Sequence, residues 1–513
     1  MPQEYLVGVD VGTCGSKGVL TDLSGRVLSY KFVEHGVDSP KPGWYEQDAD
    51  EVWWGDLRRI TRALIADAHV DPQEVAAVGL SALCPDVLPV DDAGRPLRKA
   101  ILYSDTRAAE EAKRMTRELG EVRIFEACGN RLSVQSAGPK VLWLRDHEPR
   151  LFEVTQTIHS ASSYLVYRLT GETVFDYGTA SSFHPLFNIH DLQWDEGICR
   201  DLRLPTRILP STCWATKLVG VVTSQASKDT GLAEGTPVIA GTVDGFAEDV
   251  SVGVVEKGQA CLVYGTTMAV FVKSGQPGCH PNVISSPGPI PGSYLTGAYM
   301  NTSGALTRWF RDNFAQIERE SERILGISAY QLLSDEVAEI PPGSLGLVVL
   351  PYFAGEGYPI LDDDARGLVI GLTLSHTRNH VYKALLEGVA YGLRHNLETM
   401  EGAGTFVGRI VSIGGGTRSR VWTQIVSDVT GRDQELAASP YGAPYGDAYL
   451  AGYGTGLFRD LRPLQEEWVR TTGKIQHDPQ RKRIYDRYYE VYRNLYPCVA
   501  QSMHALASLS RQA

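Results

Sequence analysis

The hydrophobic pattern opens with two short apolar segments joined by a glycine-rich turn. Residues 6–11 form a β-branched run without helical spacing, and residues 18–20 resume the apolar pattern after the turn. This arrangement predicts a β-hairpin. Residues 260–272 repeat the plan, with Gly265-Thr266 in the position of Gly12-Thr13. We therefore expect a duplicated chain with two large domains.

The spacing of the remaining apolar positions predicts further elements. Residues 27–33 and 75–83 have the composition of strands, and residues 48–68 carry apolar side chains at helical spacing. Tyrosines at three- and four-residue steps predict a helix over residues 481–496 whose aromatic face packs against the rest of the protein. The polar run of residues 460–474 indicates a connector.

Composition and charge narrow the class of protein. The chain is 43% hydrophobic and 21% charged, as in ordinary globular proteins, and its net charge of -12 argues against nucleic acid or an anionic membrane as a partner. The eight cysteines show no metal-binding spacing. No leader sequence is evident, and no apolar run approaches the roughly 20 residues of a membrane span. We expect a soluble cytoplasmic protein; its oligomeric state stays open, with a homodimer as one option.

The first predicted turn has the composition of a phosphate-binding loop. Gly12 and Gly15 allow backbone N–H groups to approach an anion closely, and Thr13 and Ser16 add hydroxyl donors. Asp10 would repel a phosphate unless a divalent cation lay between them, which makes it a candidate partner of Mg²⁺. The alternative is a tight hairpin in which the aspartate only caps the turn.

Two more glycine turns follow strand-like segments. Residues 238–240 lead to Asp244 in a glycine-flanked turn, and another β-branched run leads to the glycines 414–416. Several such turns suggest one nucleotide held from several sides. Because Asp before Gly is also an ordinary turn carboxylate, the pattern alone leaves the role of Asp244 open. Glu248 and Asp249 are typical of the start of a helix, where the dipole favours acids.

Six segments in order resemble the FGGY carbohydrate kinases, a branch of the actin, hexokinase and heat-shock-protein ATPase fold. They are residues 10–22, 44–54, 137–149, 365–394, 412–431 and 441–456. The resemblance implies an α/β fold of two actin/hexokinase-like, ribonuclease H-like domains around a central cleft, over residues 1–254 and 255–513. It also implies an ATP- and Mg²⁺-dependent sugar kinase. Within the family the chain is most similar to the xylulokinases, which convert D-xylulose to D-xylulose 5-phosphate.

The resemblance implies roles for individual residues. Asp244 matches the family's catalytic base, and Asp10 and Asp244 would hold Mg²⁺. The nucleotide would be bound by Gly12, Thr13, Lys17, Gly265, Thr266 and Gly304 at its phosphates, and by Gly414, Gly415, Gly416 and Ser419 at its adenosine. The sugar pocket would contain Cys84, Pro85, Asp86, Tyr103, Asp105 and Asp244.

The predicted pocket departs from the xylulokinase pattern at two places. Cys84-Pro85 stands where xylulokinases carry Met-His, and Ser162-Ser163 where the family usually has Lys-Asp. A histidine could donate to a sugar hydroxyl, whereas cysteine and proline mostly cannot, so Asp86 or a neighbour must supply the polarity, or the substrate differs. Ribulose, glycerol and a sugar acid therefore stay open as substrates. Asp105 has helix capping as an alternative role.

Two other classes of protein share parts of the pattern. An actin-like or chaperone-like ATPase would have the hairpins but would not need the segments around Trp44 and Lys140. A dinucleotide oxidoreductase would need Gly-x-Gly-x-x-Gly opening a helix after the first strand. Here the residues after Gly12-Thr13 return to strand, which weakens the oxidoreductase hypothesis further. The segments around Trp44 and Lys140 weaken the ATPase hypothesis, so the sugar kinase is favoured over both.

Overall fold

The computed structural model describes residues 4–278, 280–438 and 441–511. The strands of its first sheet are β1 (Tyr5–Val11), β2 (Gly15–Asp22), β3 (Val27–Glu34), β4 (Val75–Ala82), β5 (Leu218–Val221), β6 (Pro237–Ile239) and β7 (Thr242–Val243). The order across the sheet is β5-β6-β4-β1-β2-β3, and β7 also pairs with β4. Because β1 is antiparallel to β2 and parallel to β4, the predicted hairpin lies inside the sheet.

The second sheet repeats this plan. Its strands are β8 (Gln259–Tyr264), β9 (Met268–Ser274), β10 (Ile284–Pro287), β11 (Tyr294–Met300), β12 (Arg409–Ile413), β13 (Gln434–Ala437) and β14 (Thr471–Ile475), in the order β10-β11-β9-β8-β12-β13-β14. In both sheets a set of antiparallel strands, three in the first sheet and four in the second, is followed by two parallel neighbours and an antiparallel edge strand. The topology confirms the duplication that the repeated hairpins predicted.

Helices flank the two sheets and connect their strands. They are α1 (Gly55–Ala68), α2 (Ala109–Leu119), α3 (Glu121–Cys128), α4 (Ala137–His147), α5 (Pro149–Val154), α6 (Ala161–Thr170), α7 (Tyr177–Ser181), α8 (Glu196–Asp201), α9 (Ser224–Thr230), α10 (Asp244–Ser251), α11 (Gly304–Phe314), α12 (Gln316–Leu325), α13 (Ala329–Val337), α14 (Arg378–Gly402), α15 (Arg420–Thr430), α16 (Ala443–Gly454) and α17 (Pro479–Ser510). In the part of the chain that the structure describes, none of the helices combines the length and the apolarity that a bilayer crossing requires.

Shorter elements complete the fold. Two-stranded ladders join Glu46–Gln47 to Ala100–Ile101, Leu88–Val90 to Thr157–His159, Val174–Asp176 to Ser211–Cys213, Phe187–Asn188 to Gln193–Trp194, and Val348–Leu350 to Leu368–Ile370. Single irregular helical turns cover Ala49–Trp54, Pro72–Glu74, Thr206–Ile208, Gly415–Arg418 and Leu464–Trp468.

Helix α16, from the second half of the chain, packs on the first sheet. A Cβ added at Gly8 of β1 would lie 1.9 Å from the Pro444 carbonyl oxygen, and one added at Gly79 of β4 would lie 2.1 Å from that of Asp447. Only glycine allows the helix backbone to approach the strands so closely. The predicted boundary at residues 254–255 separates the strands of the two sheets but not this helix, and the boundary itself stays a prediction.

Three predictions of local structure were wrong. The supposed connector 460–474 contains a helical turn and most of β14, an edge strand whose exposed side chains leave no hydrophobic alternation to read. Asp249 does not lie at a helix start, because α10 begins at Asp244 and Asp249 is buried on its inner face. The last helix does not end at residue 496 as predicted; Pro497 lies within the helix, which continues to Ser510.

Candidate active site

Asp10 lies near the end of β1, beside strands β2 and β4. Its register partners are Lys17 on β2 and Ser81 on β4, so the three side chains lie at one level of the sheet. Asp10 is buried, and its carboxylate accepts a hydrogen bond from the Ser81 hydroxyl at 3.0 Å. Burial raises the pKa of Asp10 to about 6, although the charge of Lys17 opposes the shift.

Asp244 is the first residue of α10, directly after β7. Its carboxylate accepts a hydrogen bond from the Gly245 N–H at 2.7 Å, and the side chain stays partly exposed. Burial raises the pKa of Asp244 to about 7, and the negative charge of Asp10 adds to the shift. Two acids from different strand ends therefore lie close enough to repel each other.

The arrangement of these carboxylates fits Mg²⁺. Within the described residues no group of three or more His, Cys, Asp or Glu side chains could enclose a metal ion. Mg²⁺ at phosphoryl-transfer sites needs no such cage, because one or two carboxylates, water and the substrate phosphates complete its shell. Asp10 and Asp244 supply that number of carboxylates, and their mutual repulsion is the charge imbalance that a divalent cation relieves.

The two hairpin turns present backbone groups at the ends of β1 and β8. In the first turn the Gly12 N–H donates to the Gly15 carbonyl at 3.2 Å, and in the second the Gly265 N–H donates to the Thr267 carbonyl at 3.0 Å. Gly304, at the start of α11, donates its N–H to the Gly265 carbonyl at 2.9 Å. The structure thus brings Gly304 together with Gly265 and Thr266, as the nucleotide-binding assignment requires.

The third glycine turn follows β12 and packs against the second hairpin. Gly414 has a φ of 95°, and a Cβ there would lie 2.5 Å from the Tyr264 carbonyl oxygen. A Cβ at Gly416 would lie 2.7 Å from the Trp422 ring. Ser419 caps α15 by accepting the Trp422 N–H at 3.2 Å. The glycines 414 to 416 therefore lie beside the end of β8, on the same half as the second hairpin.

The predicted sugar pocket contains a buried acid and a buried amine. Asp86 is fully buried; neither of its carboxylate oxygens has a partner with good hydrogen-bond geometry among the described atoms, although the Ala161 N–H is near enough to stabilise the carboxylate. Burial raises its pKa well above the usual range, while Lys140 opposes the shift. The Lys140 ammonium donates to the carbonyls of Tyr103 at 3.1 Å and Gln135 at 2.9 Å, and burial lowers its pKa to about 7.

The other predicted pocket residues are partly engaged with the protein itself. Cys84 contacts the Ser182 hydroxyl at 3.2 Å, and the Tyr103 hydroxyl lies 3.4 Å from that of Thr13, next to the first hairpin. Asp105 is fully buried; it accepts the Tyr45 N–H at 2.6 Å and hydrogen bonds from the Arg107 guanidinium. The Asp105 carboxylate is thus occupied by structural partners.

A cleft of about 870 Å³ lies between the halves of the chain and includes Pro85 of the predicted pocket. Its other polar lining residues include Asn130, Arg131, Ser182 and His184 from the first half, and Tyr299, Asn301, Glu356 and Tyr358 from the second. Glu356 is buried, accepts the Gly357 N–H at 2.8 Å, and leaves its second oxygen without a hydrogen-bond partner among the described atoms. Burial raises its pKa to about 8.

Sequence reasoning missed two residues next to Asp10. The Ser81 hydroxyl lies 2.7 Å from a carboxylate oxygen of Asp447 on α16, so it bridges Asp447 and Asp10. Burial raises the pKa of Asp447 well above the usual range, and the charge of Asp10 adds to the shift. The only signal in the sequence was an acid in the otherwise apolar helix 443–454.

Comparisons with known proteins find relatives that cover nearly the whole chain. Residues 5–250 match the model of the FGGY family of carbohydrate kinases, N-terminal domain, and residues 260–455 that of the C-terminal domain. A xylulose kinase from Bacillus subtilis is 26% identical over 99% of this chain and 100% of its own length. A gluconokinase from the same species is 28% identical over 88% of each chain. The crystal structure of a xylulose kinase from Rhodospirillum rubrum superposes with a TM-score of 0.91 and 30% identity, covering 98% of this chain and 100% of that one.

Proposed function

The chain belongs to the FGGY family of carbohydrate kinases, and we propose that it transfers the γ-phosphate of ATP to the terminal hydroxyl of D-xylulose. The products would be D-xylulose 5-phosphate and ADP. The observation that carries the proposal is similarity over nearly the full length, in sequence and in structure, to proteins named xylulose kinase. The domain division at residues 254–255 is part of the same proposal.

Asp244 would act as the general base. In the transfer the sugar hydroxyl loses its proton to the Asp244 carboxylate, its oxygen bonds to the γ-phosphorus, and the bond from that phosphorus to the leaving oxygen of ADP breaks. Asp244 is partly exposed and its single hydrogen bond comes from Gly245, so a carboxylate oxygen remains for the substrate. A pKa of about 7 suits a base that works near neutral pH.

The hairpin turns would hold the phosphates. Thr13, Lys17 and Thr266 would contact phosphate oxygens, and Gly12, Gly265 and Gly304 would give the backbone room to approach them. Mg²⁺ held near Asp10 and Asp244 would supply charge neutralisation for the β- and γ-phosphates. The glycines 414 to 416, with Ser419, would form the surface for the adenosine.

Polar groups in the buried pocket would select the sugar. The hydroxyls of a ketopentose both donate and accept hydrogen bonds, and the buried Asp86 carboxyl supplies the complementary chemistry. The positive charge of Lys140 lies near Asp86 and opposes the rise in the pKa of Asp86. A buried polar group left unpaired disfavours a ligand that cannot bond to it, so this pocket favours a polyhydroxylated substrate.

The proposal is tested by sugar-dependent ADP release from purified protein with D-xylulose, D-ribulose, glycerol and gluconate. A reaction without sugar serves as the blank for ATP hydrolysis unrelated to transfer. We expect the highest kcat/KM with D-xylulose, with the phosphate on the terminal carbon by phosphorus NMR. Efficient turnover of glycerol or gluconate without activity on either ketopentose would overturn the substrate assignment.

A further inference from the structure

A histidine and an aspartate lie beneath the first hairpin turn, outside the residues discussed above. The His35 Nε2 lies 3.0 Å from the Gly12 carbonyl oxygen, and its Nδ1 lies 2.7 Å from a carboxylate oxygen of Asp56. A carbonyl can only accept, so Nε2 is the donor in the first contact. The Asp56 carboxylate also accepts from the Ser16 hydroxyl at 2.8 Å and from Arg59 at 2.7 Å.

This pair is enclosed by the protein. The side chains of His35 and Asp56 are 8% and 1% exposed, so solvent does not replace their hydrogen bonds. Among the described residues the two side chains are bonded to the Gly12 carbonyl, the Ser16 hydroxyl and the Arg59 guanidinium, and the first two of these groups belong to the turn itself. The pair therefore fixes the turn at both ends, at residues 12 and 16.

Three consecutive carbonyls of the turn are held on the same side. The Gly12 carbonyl accepts from the His35 ring, the Thr13 carbonyl accepts from the Gln47 amide at 2.9 Å, and the Cys14 carbonyl accepts from the His35 backbone N–H at 3.2 Å. The C=O and N–H of one trans peptide unit point in opposite directions. The N–H groups of Thr13 and Cys14 are therefore turned away from His35 and Gln47.

Those two N–H groups are unpaired among the residues that the structure describes. Within the described residues neither Thr13 nor Cys14 donates its backbone N–H to a backbone or side-chain acceptor. Unpaired adjacent N–H groups in a turn form the kind of concave donor site that binds phosphate oxygens. Their direction depends on the carbonyls behind them, and the orientation of the Gly12 carbonyl depends on His35.

We infer that His35 and Asp56 are positioning residues for nucleotide phosphates: by holding the Gly12 carbonyl, they aim the Thr13 and Cys14 N–H groups at the phosphate. Neither residue would touch the nucleotide. The inference rests on the proposed use of ATP but not on the identity of the sugar. It predicts that disturbing His35 weakens binding of the phosphates and leaves binding of the nucleoside unchanged.

A matched pair of substitutions separates the two hydrogen bonds of the ring. In His35→Gln the amide reaches the position of Nε2 and keeps a donor for Gly12, whereas in His35→Asn the shorter amide keeps only the contact with Asp56. Calorimetric titration with MgADP, and separately with adenosine, gives the readout. We expect His35→Asn to weaken MgADP binding roughly tenfold, the scale of one lost hydrogen bond. We expect His35→Gln to stay within about threefold of wild type, and adenosine binding to be unchanged in both.

His147→Asn is the control, because it breaks a histidine–carboxylate contact of similar length, 3.0 Å to Glu111, on helices away from the hairpin. It should leave MgADP binding unchanged. Equal losses of MgADP and adenosine binding in both His35 variants, parallel to a loss of thermal stability, would reduce the pair to a structural role and overturn the inference. Unchanged MgADP binding in His35→Asn would also overturn it.

Hydrogen exchange on the unaltered protein gives a test that does not depend on any variant folding. MgADP should slow exchange at the amides of Thr13 and Cys14, and adenosine should not. Exchange at both amides that MgADP leaves unchanged would overturn the inference. A wild-type protein that fails to bind MgADP at all would refute the proposed function and this inference together, whereas binding without the His35 effects refutes the inference alone.

Discussion

Replacing Asp244 by Asn is the sharpest test of the proposed chemistry. The amide has nearly the size of the carboxylate, and its oxygen can keep the hydrogen bond from the Gly245 N–H, which lies 2.7 Å from the aspartate. The start of α10 should therefore be preserved. What the variant loses is the ability to take a proton and the negative charge beside Asp10.

The two losses predict separate effects of different size. A positioned general base contributes roughly 10²–10⁴ to a rate, so kcat with the sugar should fall by that factor. The charge of Asp10 raises the pKa of Asp244, and the repulsion between two carboxylates is mutual. Loss of the Asp244 charge should therefore make Asp10 easier to ionise. Nucleotide without metal should bind as tightly or more tightly in the variant, because one of the two carboxylates that repel phosphate is now neutral.

The assay follows sugar-dependent ADP release and, separately, calorimetric binding of ADP with and without Mg²⁺. Asp195→Asn is the matched control, because Asp195 also lies at a helix start, accepts the Ile198 N–H at 2.8 Å, and is not among the charges that shift the pKa of Asp10. Asp249 would be a poor control, since it is buried and lies beside Cys261. Near-normal turnover in Asp244→Asn would refute the assignment of the base and move it to another carboxylate, Asp10 or Asp86 first.

Two further predictions concern the fold around the site. Gly8→Ala should destabilise the protein by about 1–3 kcal/mol, because its Cβ would lie 1.9 Å from the Pro444 carbonyl oxygen; denaturant midpoints should show the loss, and Gly473→Ala, with no atom within 4 Å of the new Cβ, should show little. An unchanged midpoint in Gly8→Ala would contradict the packing of α16. Burial raises the pKa of Glu387 from 4.5 to about 7, so the stability associated with its protonated form is fully present below pH 4.5 and is lost as pH rises from there through about 7. The unfolding midpoint of Glu387→Gln should therefore rise relative to that of wild type between pH 4.5 and 7 and level off above that, and a constant difference across this range would contradict the prediction.

The elements that sequence reasoning located are those specified by neighbouring residues. A β-branched run, a Gly-Thr turn and a second apolar run are local features, and they gave both hairpins and their duplication. The glycine turns could also be predicted from neighbouring residues, because glycine is the residue expected where the backbone needs a positive φ. Gly414 does adopt such a φ. The strand β14 could not be read in this way, because its pairing with β13 uses backbone groups that no side-chain pattern reveals.

Contacts between distant parts of the chain lay beyond sequence reasoning. Ser81 and Asp447 are 366 positions apart, yet the Ser81 hydroxyl lies 2.7 Å from the Asp447 carboxylate. The apolar neighbours of Asp447 in the helix hint at burial, but they do not identify its partner; the contact follows from the glycines of β1 and β4, which admit the backbone of α16. His35 is similar, because its partner Asp56 lies one strand and one helix further on.

The departures of the pocket from the xylulokinase pattern have a physical consequence. The Cys84 thiol is engaged with the Ser182 hydroxyl at 3.2 Å, and the Ser163 hydroxyl accepts the Ser160 N–H at 3.0 Å to complete the cap of α6. Neither substitution therefore adds a free polar group for a sugar. Near these two positions the buried polar groups include the Asp86 carboxyl and the Lys140 amine, which opposes the rise in the Asp86 pKa. Burial raises the pKa of Asp86 well above its usual range, so its carboxyl can donate as well as accept, whereas Lys140 is already bonded to two carbonyls; we therefore expect Asp86 to be the first of these groups to bond to a substrate hydroxyl.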